Sequence, residues 1–437
     1  MTRLFAGTFR RLVWVAAVLG LAVRAWWTAW ATRTPTGLFD PARYLGFGDR
    51  IADGLGYVEF TGHPTAYYPP GYPYFVGILT WLSRPFTHDP TRIVAAVQVL
   101  LGTATVLLVA FVARRLGGRG AGVVAAFAYA LYPNLVMHSG VLLGETLNIF
   151  LMMSFLAVVV RRPLSEDRST AELVGIGVLL ALALLVRPVS GALLVALILA
   201  WWVARRDLGE VLRRTGLVLV GVALCLTPWI VRNAVRMHGF VPMSTNTGDN
   251  LCIGYQPDAN GAFAFDDHCA IGDPFRGPAS EIATDKAKTR YALHQIRRDP
   301  GRLPWLLWRR TYFTWFRDGD HDAVSAAQDY YTVAWMAPAT NDRLERVADL
   351  YYWLVGSVGV AGLALLAWRR RADGLLIVGS FVVTAGLPLL FFGESRFKVP
   401  AIPLLIVSGA VAASVAVGSA VSSMRTDRSE RREQPVG

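Results

Sequence analysis

Two carboxylates and a set of basic residues occupy positions where a membrane-spanning chain has no need of them. Asp40 stands just past the first apolar run, in GLFDPARYLGFGDRIADG, and Tyr44 follows it by one helical turn. The aromatic and proline-rich run TAYYPPGYPYF begins at Thr65, shortly after His63, and carries Tyr68. Such rings favour the depth of lipid head groups. Read singly, a loop aspartate is a helix cap or a solvated acid. Beside that aromatic run, Asp40 reads as a base able to take a proton from a hydroxyl. Glu145, in HSGVLLGETLNIF, lies near the end of another apolar run, where a carboxylate is costly unless it is paired or faces a polar cavity. Arg187 in LLVRPVS, Arg232 in TPWIVRN, and Arg396 with Lys398 in GESRFKVPAIP also map to helix ends. One such residue would be snorkelling to lipid head groups. Several converging opposite the acids form an anion site, for which the planar arginine fork suits a phosphate. Lys398 stands out because lysine otherwise occurs only at 286 and 288.

The elements that must position these groups are membrane helices. Of the 437 residues, 54% are hydrophobic and 17% charged, and the mean hydropathy is +0.40, too apolar for a soluble chain of this length. The net charge of +12 comes from arginine clusters between apolar runs, a topological pattern that excludes a nucleic-acid partner. The reading is an all-α polytopic membrane protein of about ten transmembrane helices, near 12–31, 92–113, 120–137, 146–160, 173–187, 189–204, 215–231, 350–368, 374–392 and 399–421. Outer-face juxtamembrane helices and a mixed extracytoplasmic loop region complete it. Ala29-Trp30-Ala31 resembles a cleavage site, but the first run is long enough to span and is read as uncleaved.

The segment Tyr72 to Ser83 is expected to lie on the outer surface rather than cross. Arg114, Arg115, Arg119, Arg161, Arg162, Arg205, Arg206 and Arg369 to Arg371 then share the cytoplasmic side with both termini, as the positive-inside rule requires. The divisions are a catalytic module over 1–231 with a first outer loop at 32–91, an outer loop region at 232–346, C-terminal helices over 347–422, and a disordered tail at 423–437. The placement is a plasma membrane, with the site facing outward.

Three cysteines include no CxxC pair, and there is no HExxH and no P-loop. GFGDRI lacks the third glycine of a dinucleotide fingerprint, so no soluble nucleotide donor is indicated. Cys252 and Cys269 share one translocated loop and are expected to form a disulfide, the alternative being two free thiols. Asp318, Asp320, Asp322 and Asp329 match part of a calcium loop, but Ala323 replaces its glycine, so a solvated acidic loop is the default.

In this order, Asp40 with Tyr44, YYPPGYP, Glu145, LVRP, TPWIVRN with VPMSTNTGDNLCIGYQP, and ESRFKVPAIP resemble the GT-C superfamily of membrane glycosyltransferases. The likeness is to bacterial family-39-type enzymes, related to protein O-mannosyltransferases and the lipid A aminoarabinose transferase, and runs from Leu12 to about Ser422. It implies sugar transfer from a polyprenyl-phosphate-linked donor to a glycan, lipid or protein acceptor on the extracytoplasmic face. It also implies that Asp40 serves as base or holds a divalent metal ion and that Glu145 is the second outer acid; beyond that metal ion no cofactor is indicated. The O-mannosyltransferases pair two acids in the first loop, whereas Pro41 follows Asp40 here, which counts against protein mannosylation. The chemistry agrees. A single inverting displacement needs a base at the acceptor hydroxyl and positive charge at the departing phosphate. Asp40 and the group Arg396, Lys398, Arg232 and Arg187 supply these, with Tyr44, His63 and Tyr68 lining the substrate. The competing reading is a transporter or flippase of lipid-linked sugars, but the chain lacks the repeated halves such a fold shows.

Overall fold

The computed structural model describes residues 2–37, 39–264, 267–319 and 335–433. Among these residues there is no strand, only single bridges joining Val58 to Pro64 and Ala262 to Gly393. Asp320, Asp322 and Asp329 of the calcium-like acids lie outside the described residues, and Asp318 within them.

The helices are α1 (Thr2–Ala31), α2 (Asp40–Ala52), α3 (Gly71–Ser83), α4 (Thr91–Ala130), α5 (Pro133–Met137), α6 (Glu145–Val160), α7 (Thr170–Val186), α8 (Leu193–Arg205) and α9 (Leu208–Arg236). They continue as α10 (Thr247–Tyr255), α11 (Pro278–Arg298), α12 (Leu303–Trp315), α13 (Pro338–Arg369), α14 (Ala372–Gly386) and α15 (Ile402–Glu433). Seven helical segments are long and apolar enough to cross a bilayer, and α6 and α7 are shorter apolar helices.

The 40-residue α4 is two passes. At Gly118 the backbone takes φ +83°, open to glycine but strained for other residues, and the chain doubles back. A side chain at Gly122 would lie 2.9 Å from the carbonyl oxygen of Ala110, twelve positions earlier. An unbroken helix would separate those residues by ~18 Å. Seven long segments, the second arm of α4 continued through α5 to Met137, and two shorter helices make ten. Ala110, Ala113, Ala121 and Ala125 are buried along α4, small enough for helices to approach closely where lipid offers no hydrophobic drive between them.

By contrast α3 has 13 residues, ~20 Å of helix against a ~30 Å hydrocarbon core, and is too short to cross. Arg24, fully buried within α1, illustrates how the bundle satisfies a charge inside it. Its guanidinium donates to the carbonyls of Ala130 at 2.9 Å and Tyr129 at 3.3 Å, capping the end of α4.

The charged residues sort to two ends of the bundle. Arg161, Arg162 and Arg168 pair with Glu172, and Arg213 and Arg214 with Glu210, where α6 and α8 end and α7 and α9 begin. Glu145, Arg187 and Arg232 lie at or near the other termini of α6, α7 and α9, and Asp40, at the start of α2, joins Glu145 through Arg396.

Thr245, Asp249 and Glu281, from the segment after α9, dock at the Thr65 to Tyr68 run at this second end. The buried Glu281 carboxylate of α11 accepts from the Thr65 hydroxyl at 2.7 Å, from the Ala66 amide at 2.9 Å, and from the Thr245 hydroxyl. Asp249 accepts from Tyr67 at 2.8 Å and from Lys288 at 2.5 Å. Cys252 and Cys269 are joined by a disulfide that ties α10 to the following loop.

Candidate active site

Asp40 opens α2 directly after an extended residue, Phe39, so its carboxylate sits at the positive end of the helix dipole. One oxygen accepts from the Tyr68 hydroxyl at 2.7 Å, the other from the Arg396 guanidinium at 2.8 Å. Burial, and then the charge of Asp40, hold the Tyr68 hydroxyl well above its ordinary pKa, so it remains a donor. The Tyr44 ring packs 5.1 Å from that of Tyr68 and 5.0 Å from that of Tyr72, fixing the phenol that orients Asp40.

Glu145 opens α6, and the same oxygen accepts from both Arg396 and Arg187. Arg396 therefore bridges two acids that lie 105 positions apart in the chain, Asp40 and Glu145. Their exposures differ in a way that separates their roles. The Glu145 side chain is 0% exposed and that of Asp40 is 29% exposed, so only Asp40 can meet a substrate directly. Arg187 reaches the cluster because α7 ends there, with Arg187 in extended conformation before Pro188. Asn148 locks that end by donating to the Ala183 carbonyl at 3.1 Å and the Ser190 hydroxyl at 2.7 Å. The turn before Glu145 is held by Gln98, which donates to the carbonyls of Ser139 at 3.1 Å and Val141 at 2.9 Å and accepts from Tyr72 at 2.8 Å.

Not every basic residue at this end joins the cluster. Lys398 is fully buried beneath it, 3.2 Å from Asp318, and donates to the carbonyls of Arg317 and Ser395. The Arg232 guanidinium donates to the Thr65 carbonyl at 2.6 Å, to the Tyr57 carbonyl, and to Asn233, while stacking 4.9 Å from the Trp229 ring. Both hold backbone in place. His63 is exposed, and its carbonyl accepts from the Glu59 amide at 2.8 Å.

The sequence reading passed over Glu394. It is half-buried, and burial pushes its carboxyl above the ordinary range against the favourable charge of Arg396. Its place two residues before Arg396 was the available signal. Among the described residues no three His, Cys, Asp or Glu side chains converge to hold a metal. With Asp40 and Glu145 already bonded to guanidinium groups, the donor set does not fit a resident divalent ion.

Residues 67–231 match the family model of dolichyl-phosphate-mannose-protein mannosyltransferase. No curated protein matches the sequence. Among solved structures, the chain is similar to the archaeal oligosaccharyltransferase AglB from Archaeoglobus fulgidus in complex with an inhibitory peptide and a dolichol-phosphate. The TM-score is 0.56 at 16% identity, over 96% of this chain and 52% of that one. The Archaeoglobus fulgidus oligosaccharyltransferase in complex with Zn and sulfate gives 0.55 at 17% identity, over 93% of this chain and 49% of that one. ArnT from Cupriavidus metallidurans bound to undecaprenyl phosphate gives 0.41 at 18% identity, over 92% of this chain and 77% of that one. The chain thus spans about half the length of the oligosaccharyltransferase. At these identities the likeness to solved structures is one of fold. The chain is an all-α polytopic membrane protein of the GT-C fold that, over residues 67–231, resembles the dolichyl-phosphate-mannose-protein mannosyltransferase family.

Proposed function

We propose that the protein transfers a sugar from a polyprenyl-phosphate carrier to an acceptor hydroxyl on the extracytoplasmic face of a plasma membrane, with inversion at the anomeric carbon. The observation that carries this reading is the bridge Asp40–Arg396–Glu145–Arg187, which sets one partly open carboxylate beside two guanidinium groups. Displacement at an anomeric carbon needs that pairing. Asp40 takes the proton of the acceptor hydroxyl as its oxygen attacks, and Arg187 and Arg396 meet the charge that builds on the leaving phosphate. Arg187 is 18% exposed and its hydrogen bond is to Glu145, which leaves further N–H groups to offer a phosphate. Glu145, fully buried, aims both guanidinium groups. The donor is lipid-borne, so its phosphate arrives at the depth where α6 and α7 meet the bilayer surface, and the chain needs no nucleotide pocket. The family and fold relatives support this donor class, since their descriptions name dolichyl-phosphate-mannose and bound dolichol-phosphate. The arginine clusters at the opposite end of the bundle support a cytoplasmic placement for that end.

The test is transfer by purified protein in detergent from labelled polyprenyl-phosphate sugars, mannose first, to a cell-envelope extract. Detergent removes the two compartments a flippase requires, so label appearing in acceptor supports the enzyme. Movement of label across proteoliposomes without transfer would replace it with a transporter.

A further inference from the structure

Two buried charged residues of the segment after α9, Asp249 on α10 and Lys288 on α11, stand apart from the Asp40 cluster. They reach it through an unbroken series of contacts. The two helices meet closely at Gly248, where a Cβ atom would come within 2.3 Å of the Asp285 carbonyl oxygen. The Gly248 amide donates to the Asp285 carboxylate at 2.6 Å, which joins α10 to α11. On that unit Lys288 donates to one Asp249 oxygen at 2.5 Å, and the other oxygen accepts from the Tyr67 hydroxyl at 2.8 Å. A buried carboxylate is costly without a countercharge; Lys288 supplies one and leaves Asp249 an oxygen for Tyr67. Burial, and then the charge of Asp249, hold the Tyr67 hydroxyl well above its ordinary pKa, so it stays a donor.

Tyr67 and Tyr68 are adjacent, and their rings meet edge to face, 4.9 Å apart at 87°. The Arg43 guanidinium, bonded to Glu59 at 2.5 Å, lies over both, 5.0 Å from the Tyr67 ring and 5.4 Å from the Tyr68 ring. Their backbone is pinned as well. The Tyr67 amide donates to the Thr65 hydroxyl at 3.0 Å, and the Tyr68 carbonyl accepts from the Tyr57 hydroxyl at 3.1 Å. With Tyr67 anchored by Asp249, the Tyr68 ring is walled in by Tyr67, Arg43 and Tyr44, and its hydroxyl points to Asp40 at 2.7 Å. A side chain locked by packing and by a second layer of hydrogen bonds holds its partner in register.

We infer that Lys288, Asp249 and Tyr67 are positioning residues of the transfer reaction, fixing the Tyr68 ring and through it aiming the Asp40 carboxylate at the acceptor hydroxyl. The segment after α9 is thereby part of the active site, acting through Tyr68. This inference rests on the reading of Asp40 as the base and adds what keeps that base in register.

The test measures transfer by purified proteins from polyprenyl-phosphate mannose to a cell-envelope extract. Wild type is compared with Tyr67→Phe, Asp249→Asn, Tyr68→Phe and Asp40→Asn, and with Tyr67→Phe and Asp249→Asn each combined with Tyr68→Phe. Tyr67→Phe removes one oxygen and leaves the pair Lys288–Asp249 in place. Tyr67→Phe and Asp249→Asn should each lower kcat about 10-fold with donor KM changed less than about 3-fold, since a small misplacement of a reacting group is enough for that loss. In Tyr68→Phe, where the hydroxyl they aim is gone, the same two changes should cost less than about 2-fold, because residues acting through one group are not additive. A contact that merely supports the fold would cost the same factor in both backgrounds. Equal factors, or an unchanged kcat in Tyr67→Phe, overturn the proposal even if Asp40→Asn is inactive. If Asp249→Asn strands Lys288 and misfolds, Asp249→Asn with Lys288→Met removes the charge, and Tyr67→Phe carries the decision. An Asp40→Asn protein active at close to the wild-type rate overturns the underlying base assignment instead.

Discussion

Arg396 makes the sharpest energetic prediction, because one guanidinium holds two acids from opposite ends of the N-terminal half. Its side chain is 8% exposed, and it bonds Glu145, 0% exposed, and Asp40, 29% exposed. In Arg396→Ala, Glu145 keeps Arg187 and Asp40 keeps Tyr68, so neither acid is stranded. Each charged hydrogen bond is worth roughly 1.5–3 kcal/mol, and the one to Glu145 lies wholly out of water. Loss of one partner from a buried ion pair costs about 3–5 kcal/mol, and Arg187 compensates in part, so a destabilisation of about 3 kcal/mol is expected. Glu145→Gln in the same chain removes the charge that Arg396 neutralises, so the double variant should recover about 1–2 kcal/mol relative to additivity. The assay is denaturant unfolding in detergent micelles, followed by tryptophan fluorescence, for wild type, both single variants and the double variant. Arg396→Lys should rescue poorly, since an ammonium cannot span both acids with a planar fork. Additivity of the two changes to within about 0.5 kcal/mol would refute the bridge as an energetic unit.

Three further outcomes follow from other contacts. Lys398→Met should cost about 3–5 kcal/mol by stranding Asp318, Asp318→Asn should restore most of it, and the donor KM of the double variant should stay near wild type. Burial, partly offset by hydrogen bonds from Thr245, Thr65 and Ala66, raises the Glu281 pKa. The contribution of Glu281 to stability is therefore full below its unfolded pKa and is lost as pH rises through its folded value. Hydrogen exchange across Thr65 to Tyr68 should quicken over that window in wild type and be flat in Glu281→Gln. In intact cells lacking Cys225, a cysteine at the exposed position of His63 should label from outside and one at Arg119 should not; the reverse pattern would invert the topology.

Much of the membrane architecture was legible because apolar runs and arginine clusters alternate along the chain. Even the break at Gly118 announces itself through Arg114, Arg115 and Arg119 around a glycine pair. The grouping of Asp40, Glu145, Arg187 and Arg396 could be anticipated from helix polarity alone, since residues at alternate helix termini share one end of a bundle. What the sequence concealed is direction. Arg396 and Lys398 look like neighbours, but they lie in a 3₁₀ stretch, where residues two apart are ~240° apart around the axis. One therefore reaches Asp40 while the other is buried against Asp318. Arg232 misleads for a related reason. Its helix end is where expected, but the Tyr57 and Thr65 carbonyls that occupy it belong to a loop about 170 positions upstream. Glu394 passed unnoticed because a glutamate in a turn gains its character only from the burial and the charges around it.

The central claim is that the Asp40 carboxylate does the chemistry, and Asp40→Asn tests it most directly because the amide keeps the shape and removes the charge. Transfer from labelled polyprenyl-phosphate mannose to a cell-envelope extract is measured with purified wild-type and variant proteins matched for folding by gel filtration and tryptophan fluorescence. The account predicts a rate at least ~10²-fold lower in the variant. A well-folded Asp40→Asn protein that transfers sugar at close to the wild-type rate would contradict it and leave Asp40 as a residue that merely orients Tyr68 and Arg396.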